Sequence, residues 1–188
     1  IEGRNLGGIA GVCGGGVIEH CFNTADITGD KYAGGIAGSQ SGGSTIRYCY
    51  NTGHITCLND ATAEDITAAG IAGRIEKSAP GGCRIEACYN TGKIEAKGMK
   101  NSNIGGITGL IADVNAVVTN CYNTGDLVAA GATAKGGGIV SYFKDITTGT
   151  ISFCYNIGTI STLSTKGGIL GLYNNCLLYT SDAADERS

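Results

Sequence analysis

In a seven-residue phrase that the chain repeats five times, the fixed apolar residues share one parity, and the most variable polar position has the other. Counted from its first residue as position 0, positions 0, +2, +4 and +6 hold Cys, Asn, Gly or Ala, and Ile or Leu. A period of two is typical of a β-strand with one buried face. Each phrase therefore predicts a strand whose cysteine and final aliphatic residue point inward. The copies span residues 21–27, 49–55, 88–94, 121–127 and 154–160.

An aliphatic residue three positions before each cysteine breaks this alternation. Position −3 has the wrong parity to share a face with the cysteine, whereas the residue at −2 suits the outside. A bend or bulge between −3 and 0 would turn both side chains inward, and we expect one there. Without it, the cysteines would face solvent and the aromatic residues at +1 would face the core. The aliphatic residues are Ile18, Ile46, Ile85, Val118 and Ile151.

A second phrase, Gly-Gly-Ile-Ala-Gly or a close variant, precedes each cysteine phrase and occurs a sixth time at residues 167–171. Its single large residue predicts a stacked core ladder. Glycine inside a strand costs conformational entropy, so its recurrence indicates tight turning or close approach of the backbone. The ladder residues are Ile9, Ile36, Ile71, Ile107, Ile139 and Ile169.

The repeat unit is roughly 27 to 39 residues, a period typical of solenoids. Helical repeats of this length need apolar residues at i, i+3 and i+4, a pattern absent here. We therefore predict an all-β parallel β-helix or β-solenoid of about five repeats over residues 1–175. Asparagines at +2 suit turns and could bond through stacked amides along the axis. They are Asn23, Asn51, Asn90, Asn123 and Asn156.

Composition narrows the classes of partner. The chain has 33 Gly, 42% hydrophobic residues and a formal net charge of −3. Nucleic acids and anionic lipids require a basic field, so we expect neither as a partner. No apolar run approaches the roughly 20 residues of a membrane span, so no membrane insertion is expected.

Nine cysteines raise the questions of disulfides and metals. Five of them form a column that we interpret as buried thiols, because cross-links between adjacent in-register strands are strained. A bridge among Cys13, Cys57 and Cys83 stays open. Neither a Cys-x-x-Cys pair nor a His–Cys spacing suited to zinc occurs, and we expect no metal and no cofactor. The column comprises Cys21, Cys49, Cys88, Cys121 and Cys154.

An aromatic residue at +1 in every repeat is the main candidate for binding. Spaced rings on a rigid face could stack on sugars or on a partner's apolar groups. The alternative, which we favour, is that they pack over the glycine phrases or a corner and stabilise each coil. These residues are Phe22, Tyr50, Tyr89, Tyr122 and Tyr155.

Catalytic candidates are weaker. Glu19, Arg47 and Glu86 would suit a polysaccharide lyase or hydrolase, but alternating charges are also expected of a surface ladder. The two histidines lack a nucleophile at a fixed spacing. Asp60, Glu64 and Asp65 lack the spacing of a calcium loop. We therefore predict that the chain is not an enzyme.

Residues 176–186 break the repeat and resemble an in-frame translation of a transposon adapter used in DNA library preparation. This resemblance implies a gene assembled from metagenomic DNA. We expect the repeats to end near residue 175 and residues 176–188 to form a disordered tail.

The two phrases together resemble the GLUG-motif repeats of large surface proteins of gut and oral bacteria, including regions of immunoglobulin A-specific metallopeptidases and adhesin-like proteins. The resemblance covers roughly residues 1–175 and implies an extracellular, cell-surface setting. No His-Glu-x-x-His phrase is present, so peptidase chemistry does not carry over.

These observations favour a non-catalytic rigid spacer or adhesive stalk. One alternative is a module that binds host glycans or a host or bacterial surface protein through the aromatic column or the insert loops. A second is a β-helical polysaccharide-active enzyme. Because both ends fall within repeats, we also expect end-to-end self-association.

Overall fold

The computed structural model describes residues 4–58, 65–77, 81–98, 101–144 and 149–173. Within these ranges the chain forms 27 short β-strands and no helix, and hence no helix that could cross a membrane. The expected tail at 176–188 lies outside the described residues, as do Asp60 and Glu64.

Five consecutive strands make one coil, and the coils follow one another along the chain. Coil 1 contains β1 (Asn5–Gly7), β2 (Ala10–Gly14), β3 (Val17–Glu19), β4 (Phe22–Asn23) and β5 (Ile27–Gly29). Coil 2 contains β6 (Tyr32–Gly34), β7 (Ala37–Ser41), β8 (Thr45–Arg47), β9 (Tyr50–Asn51) and β10 (Ile55–Cys57). Coil 3 contains β11 (Ile66–Ala69), β12 (Ala72–Ile75), β13 (Arg84–Glu86), β14 (Tyr89–Asn90) and β15 (Ile94–Ala96).

The remaining coils repeat this order. Coil 4 contains β16 (Ser102–Gly105), β17 (Thr108–Ile111), β18 (Val117–Thr119), β19 (Tyr122–Asn123) and β20 (Leu127–Ala129). Coil 5 contains β21 (Lys135–Gly137), β22 (Val140–Phe143), β23 (Thr150–Ser152), β24 (Tyr155–Asn156) and β25 (Ile160–Thr162). Coil 6 contributes β26 (Thr165–Gly167) and β27 (Leu170–Tyr173).

Equivalent strands of successive coils pair in parallel and form five sheets, A to E, in the order of the strands within a coil. Sheets A and B have six strands, and sheets C, D and E have five. The predicted parallel β-solenoid is therefore confirmed.

Each coil encloses two hydrophobic cores. The first lies between sheets B and C and includes Ile75 and Ile85. The second lies between sheets A and E and includes Ile104 and Ile94. All four side chains are fully buried, and burial of a side chain of this size contributes about 1.5–3 kcal/mol to stability.

The isoleucines of the glycine phrase contact the first core in every coil but the first. Ile36, Ile71, Ile107 and Ile139 are completely buried, and Ile169 packs partly buried against the same core. Ile9 differs from the expected core ladder because its side chain is 45% exposed. It lies in coil 1, where no described coil covers the outer side.

Candidate functional site

A left-handed residue stands directly before each column cysteine. His20, Tyr48, Ala87, Asn120 and Phe153 have φ angles between 51° and 54°, although none is glycine. This single residue turns the chain from sheet C into sheet D. As a result the aliphatic residue at −3 and the cysteine at 0 both reach the first core. It is the bend that the broken alternation indicated. The asparagines at +2 are not among the left-handed residues.

The aromatic residues at +1 form one continuous stack on sheet D. Neighbouring ring centroids are 4.9–5.1 Å apart, and the ring planes differ by only 2–5°. Parallel in-register pairing dictates this spacing, because equivalent residues of adjacent strands lie about 4.8 Å apart. Phe22 and Tyr155, at the two ends, are 55% and 52% exposed. The three tyrosines between them are half-buried.

The stack limits what this surface can bind. Each face of Tyr50, Tyr89 and Tyr122 is covered by a neighbouring ring. A sugar could therefore stack only on an outer face of the column, while the middle rings present their edges. Burial raises the pKa of Tyr122, and the neighbouring Tyr89 and Tyr155 raise it further.

The asparagines at +2 form a hydrogen-bonded ladder beneath the rings. The Nδ2 of each asparagine donates to the Oδ1 of the next at 2.7–2.8 Å. Each Nδ2 also donates to the carbonyl oxygen two residues later in its own coil. Asn51, Asn90 and Asn123 are completely buried. Both amide protons are thereby used, which removes the cost of burying them.

The glycine phrase packs directly against this ladder. A Cβ added at Gly70 would lie 2.4 Å from Asn90 Cβ, and one added at Gly106 would lie 2.5 Å from Asn123 Cβ. Real Cβ atoms do not approach other atoms this closely, so the second glycine of the phrase is needed wherever an asparagine faces it. The two repeated phrases are thus halves of one packing unit.

The cysteine column consists of thiols that form no disulfide in the described residues, and Cys13, Cys57 and Cys83 are not disulfide-bonded either. Each column thiol donates to the carbonyl oxygen two residues before it, at 3.1–3.2 Å. Cys49, Cys88 and Cys121 are buried, whereas Cys21 and Cys154 of the outer coils are partly exposed. Hydrogen bonds to neighbouring thiols and burial raise the pKa of Cys121. Burial raises the pKa of Cys57 to about 12.

The catalytic candidates lie on the surface of sheet C. Arg47 Nη2 lies 2.6 Å from Glu19 Oε2, and these two side chains are 42% and 44% exposed. The hydrogen bond to Glu19 raises the pKa of Arg47. Glu86 follows Arg47 in register. Among the described residues no group of three or more His, Cys, Asp or Glu side chains could hold a metal ion.

A second candidate surface was not predicted from the sequence. The glycine phrase folds sheet B back onto sheet A, so that their outer faces meet. A Cβ added at Gly38 would lie 2.4 Å from Leu6 N, and one added at Gly109 would lie 3.0 Å from Thr67 Cβ. Only residues without side chains let two sheets approach this closely. We call this interface the A–B seam.

Polar and aromatic side chains line the A–B seam. Arg74 of sheet B packs over the Tyr32 ring of sheet A at 5.1 Å, and its Nη1 donates to the Tyr32 hydroxyl at 2.5 Å. Lys135 and Tyr142 repeat this pairing in coil 5 at 5.1 Å. The register column of sheet A runs through Asn5, Tyr32, Thr67, Asn103 and Lys135, and that of sheet B runs through Val12, Ser39, Arg74, Leu110 and Tyr142.

Several buried polar atoms also lie in the A–B seam. Six of them have no hydrogen-bond partner among the described residues: Asn5 Oδ1, Ser39 Oγ, Thr67 Oγ1, Arg74 Nε, Asn103 Nδ2 and Asn103 Oδ1. Such atoms are rare in folded proteins. The seam opens into a cavity of about 340 Å³ lined by Lys31, Tyr32, Asp65, Arg74, Asn101, Leu110 and Lys144. In the sequence, the alternation of polar residues with Ala or Ile along the strands of sheet A was the pattern that could have indicated this second, polar face.

Residues 29–56 match the family model described as the GLUG motif. The match begins at the last residue of β5 and ends within β10, so the matched unit is one coil of the solenoid. This match confirms the resemblance to GLUG repeats. The chain matches no curated protein and no solved structure.

Proposed function

Because a GLUG repeat forms one coil of this chain, we propose that the chain is a non-catalytic, rigid spacer or adhesive stalk of a secreted or surface-anchored bacterial protein. The observation that carries this proposal is the unbroken side-chain ladder. The rings and asparagines of sheet D continue through coils 1 to 5 at constant spacing.

Such ladders favour a mechanical role, because the coils stack one on the next and length grows with the number of repeats. Every coil adds about 4.8 Å along the axis. The exposed Glu19–Arg47 pair supports a non-catalytic role, since both side chains are solvated on the surface of sheet C and are not enclosed in a cleft.

The test is a series of chains in which residues 88–120 are duplicated in tandem once, three times and five times. This segment runs from one column cysteine to the residue before the next, so the duplicate joins in register. We expect the maximum dimension from small-angle scattering to rise by about 4.8 Å per added coil. We also expect the melting temperature to rise and then level off. A compact particle whose length does not follow coil number would contradict the proposal.

The aromatic column is the second candidate, because its ring edges lie on the surface. Changing Tyr50, Tyr89 and Tyr122 to Ser removes the middle of the stack. If the column is structural, this variant loses about 0.5–1.5 kcal/mol for each ring pair and mucin binding is the same as for the unchanged chain. If the variant folds but no longer binds a mucin and glycan panel that the unchanged chain binds, the column is a recognition surface.

A further inference from the structure

The cavity at the mouth of the A–B seam concentrates positive charge on an acidic chain. Its described lining contains the cations Lys31, Arg74 and Lys144 and one acid, Asp65. The whole chain carries a net charge of −3. A concave site lined by one sign of charge focuses its field and attracts ligands of the opposite sign.

Arg74 is held in place for such a ligand. The Tyr32 hydroxyl accepts a hydrogen bond from Arg74 Nη1, and the Tyr32 ring lies under the guanidinium group. Tyr32 is only 8% exposed and therefore does not move freely. A guanidinium group fixed in this way matches the two oxygens of a carboxylate better than a flexible ammonium group does.

The surroundings of Arg74 suit hydroxyl groups. Leu110 is the single aliphatic side chain in the described lining, beside the amide of Asn101 and the phenol of Tyr32. A ligand with both donors and acceptors satisfies such groups, whereas an apolar peptide side chain leaves them unpaired.

We propose that this cavity binds a saccharide that carries a carboxylate. Arg74 and Lys144 hold the carboxylate, and the Asn101 amide and the Tyr32 phenol face the sugar hydroxyls. The volume of about 340 Å³ lies at the lower end of the range for ligand pockets, which suits one or two sugar rings. This binding goes beyond the spacer role, and neither depends on the other.

The experiment is calorimetric titration of the full chain with N-acetylneuraminic acid and glucuronic acid. Glucose and N-acetylglucosamine are the neutral controls, and sodium sulfate is the control for a simple anion. We expect the two acids to bind with dissociation constants on the order of millimolar, as befits a small ligand. The affinity should fall as salt is added, because the attraction is between charges.

Four variants identify the site. Arg74→Gln and Lys144→Gln should weaken acid binding about tenfold or more, whereas Asp65→Asn should tighten it about two- to tenfold by removing a like charge. Arg84→Gln is the matched control, because Arg84 is exposed on sheet C, away from the cavity. Lys144 is exposed, so its substitution tests the site even if Arg74→Gln fails to fold.

The tightening by Asp65→Asn is the sharpest result, since loss of structure alone cannot produce it. Acidic sugars that bind no better than glucose would overturn the proposal, as would equal losses in Arg84→Gln and Lys144→Gln. Sulfate that binds as tightly as the acidic sugars would show a simple anion site and overturn the saccharide assignment. None of these outcomes affects the length series that tests the spacer.

Discussion

At the scale of single residues, one strained backbone angle in each coil decides which side chains are buried. The residue before each column cysteine adopts φ near 50° in coils 1 to 5. For residues other than glycine this conformation costs roughly 1–2 kcal/mol. The cost is offset because the turn lets both the −3 aliphatic residue and the cysteine enter the first core.

Ala87 gives a direct test of that strain. Glycine adopts a positive φ without steric cost, so we expect Ala87→Gly to raise the free energy of unfolding by about 0.5–1 kcal/mol despite greater freedom of the unfolded chain. Ala96→Gly is the control. Ala96 lies buried in β15, and we expect its loss to destabilise by about 1 kcal/mol. Urea unfolding measures the change in unfolding free energy for both variants. Changes of the same sign in Ala87→Gly and Ala96→Gly would contradict the strain at Ala87.

A buried thiol makes stability depend on pH. The pKa of Cys57 is raised to about 12 by burial and, secondarily, by the Asp30 carboxylate, whereas the unfolded thiol titrates near 8.5. Its contribution is complete below about pH 8.5 and is lost as pH rises toward 12, because the unfolded chain releases the proton first. The slope is about 1.4 kcal/mol per pH unit.

Cys57→Ala provides the comparison, because Ala96 and Ala129 occupy the same position in the next two coils. We expect the unfolding free energy of the unchanged chain to fall more steeply between pH 9 and 11 than that of the variant. The difference in slope is about 1.4 kcal/mol per pH unit. Parallel curves from urea titrations at several pH values would argue against a buried, protonated Cys57.

At the scale of strands and turns, glycines bring successive coils into contact. At position +4 a Cβ on Gly92 would lie 2.0 Å from Gly53 O, and one on Gly53 would lie 2.1 Å from Ala25 O. Ala25 itself holds this position in coil 1, where no described coil lies beyond it. The glycine is thus required by the stacking of one coil on the preceding one, not by the turn alone.

Gly92→Ala should therefore destabilise the chain by more than about 3 kcal/mol, since backbone must move to admit the methyl group. Gly16→Ala is the matched control, because nothing lies within 4 Å of a Cβ at Gly16. We expect its effect to stay within about 0.5 kcal/mol. Thermal and urea unfolding compare the two. Similar losses in both variants would mean that the coils are not stacked as described.

Strands were easier to predict from the sequence than the path between them. Alternation around the cysteines indicated sheets D and E, and the odd parity of Ile18 and its equivalents indicated the bend before Cys21. The fold of sheet B onto sheet A was not foreseen. Contact between the two outer faces depends on glycines, and in the sequence these glycines could equally be turn residues. The pairs Tyr32–Arg74 and Lys135–Tyr142 also join residues from different sheets, so no local sequence pattern indicates them.

At the scale of the whole molecule, apolar side chains are exposed on the outer coils. Ile9 and Phe22 of coil 1 are 45% and 55% exposed, and Tyr155, at the other end of sheet D, is 52% exposed, whereas their equivalents in the inner coils are buried or half-buried. Uncovered solenoid ends normally need polar capping repeats to stay soluble. We propose that copies of the chain associate through these end faces.

Association should raise the mass measured by light scattering as concentration increases. Ala25 faces outward at the position where other coils meet a carbonyl oxygen, so it hinders in-register stacking of a second copy. Ala25→Gly should therefore strengthen association, while Gly16→Ala, in an exposed turn, should leave it unchanged. A constant monomer mass for all three proteins at high concentration would contradict the end-face proposal.

The central claim is that every coil stacks on the next in parallel register, and the asparagine ladder tests it most directly. The measurement is nuclear Overhauser contact between side-chain amide protons in solution, together with their rate of exchange with solvent. The structure predicts contacts that link Asn51 to Asn90 and Asn90 to Asn123, with slow exchange because all three side chains are buried. Fast exchange without contacts between coils would contradict the ladder, and with it the rigid stack on which the spacer role depends.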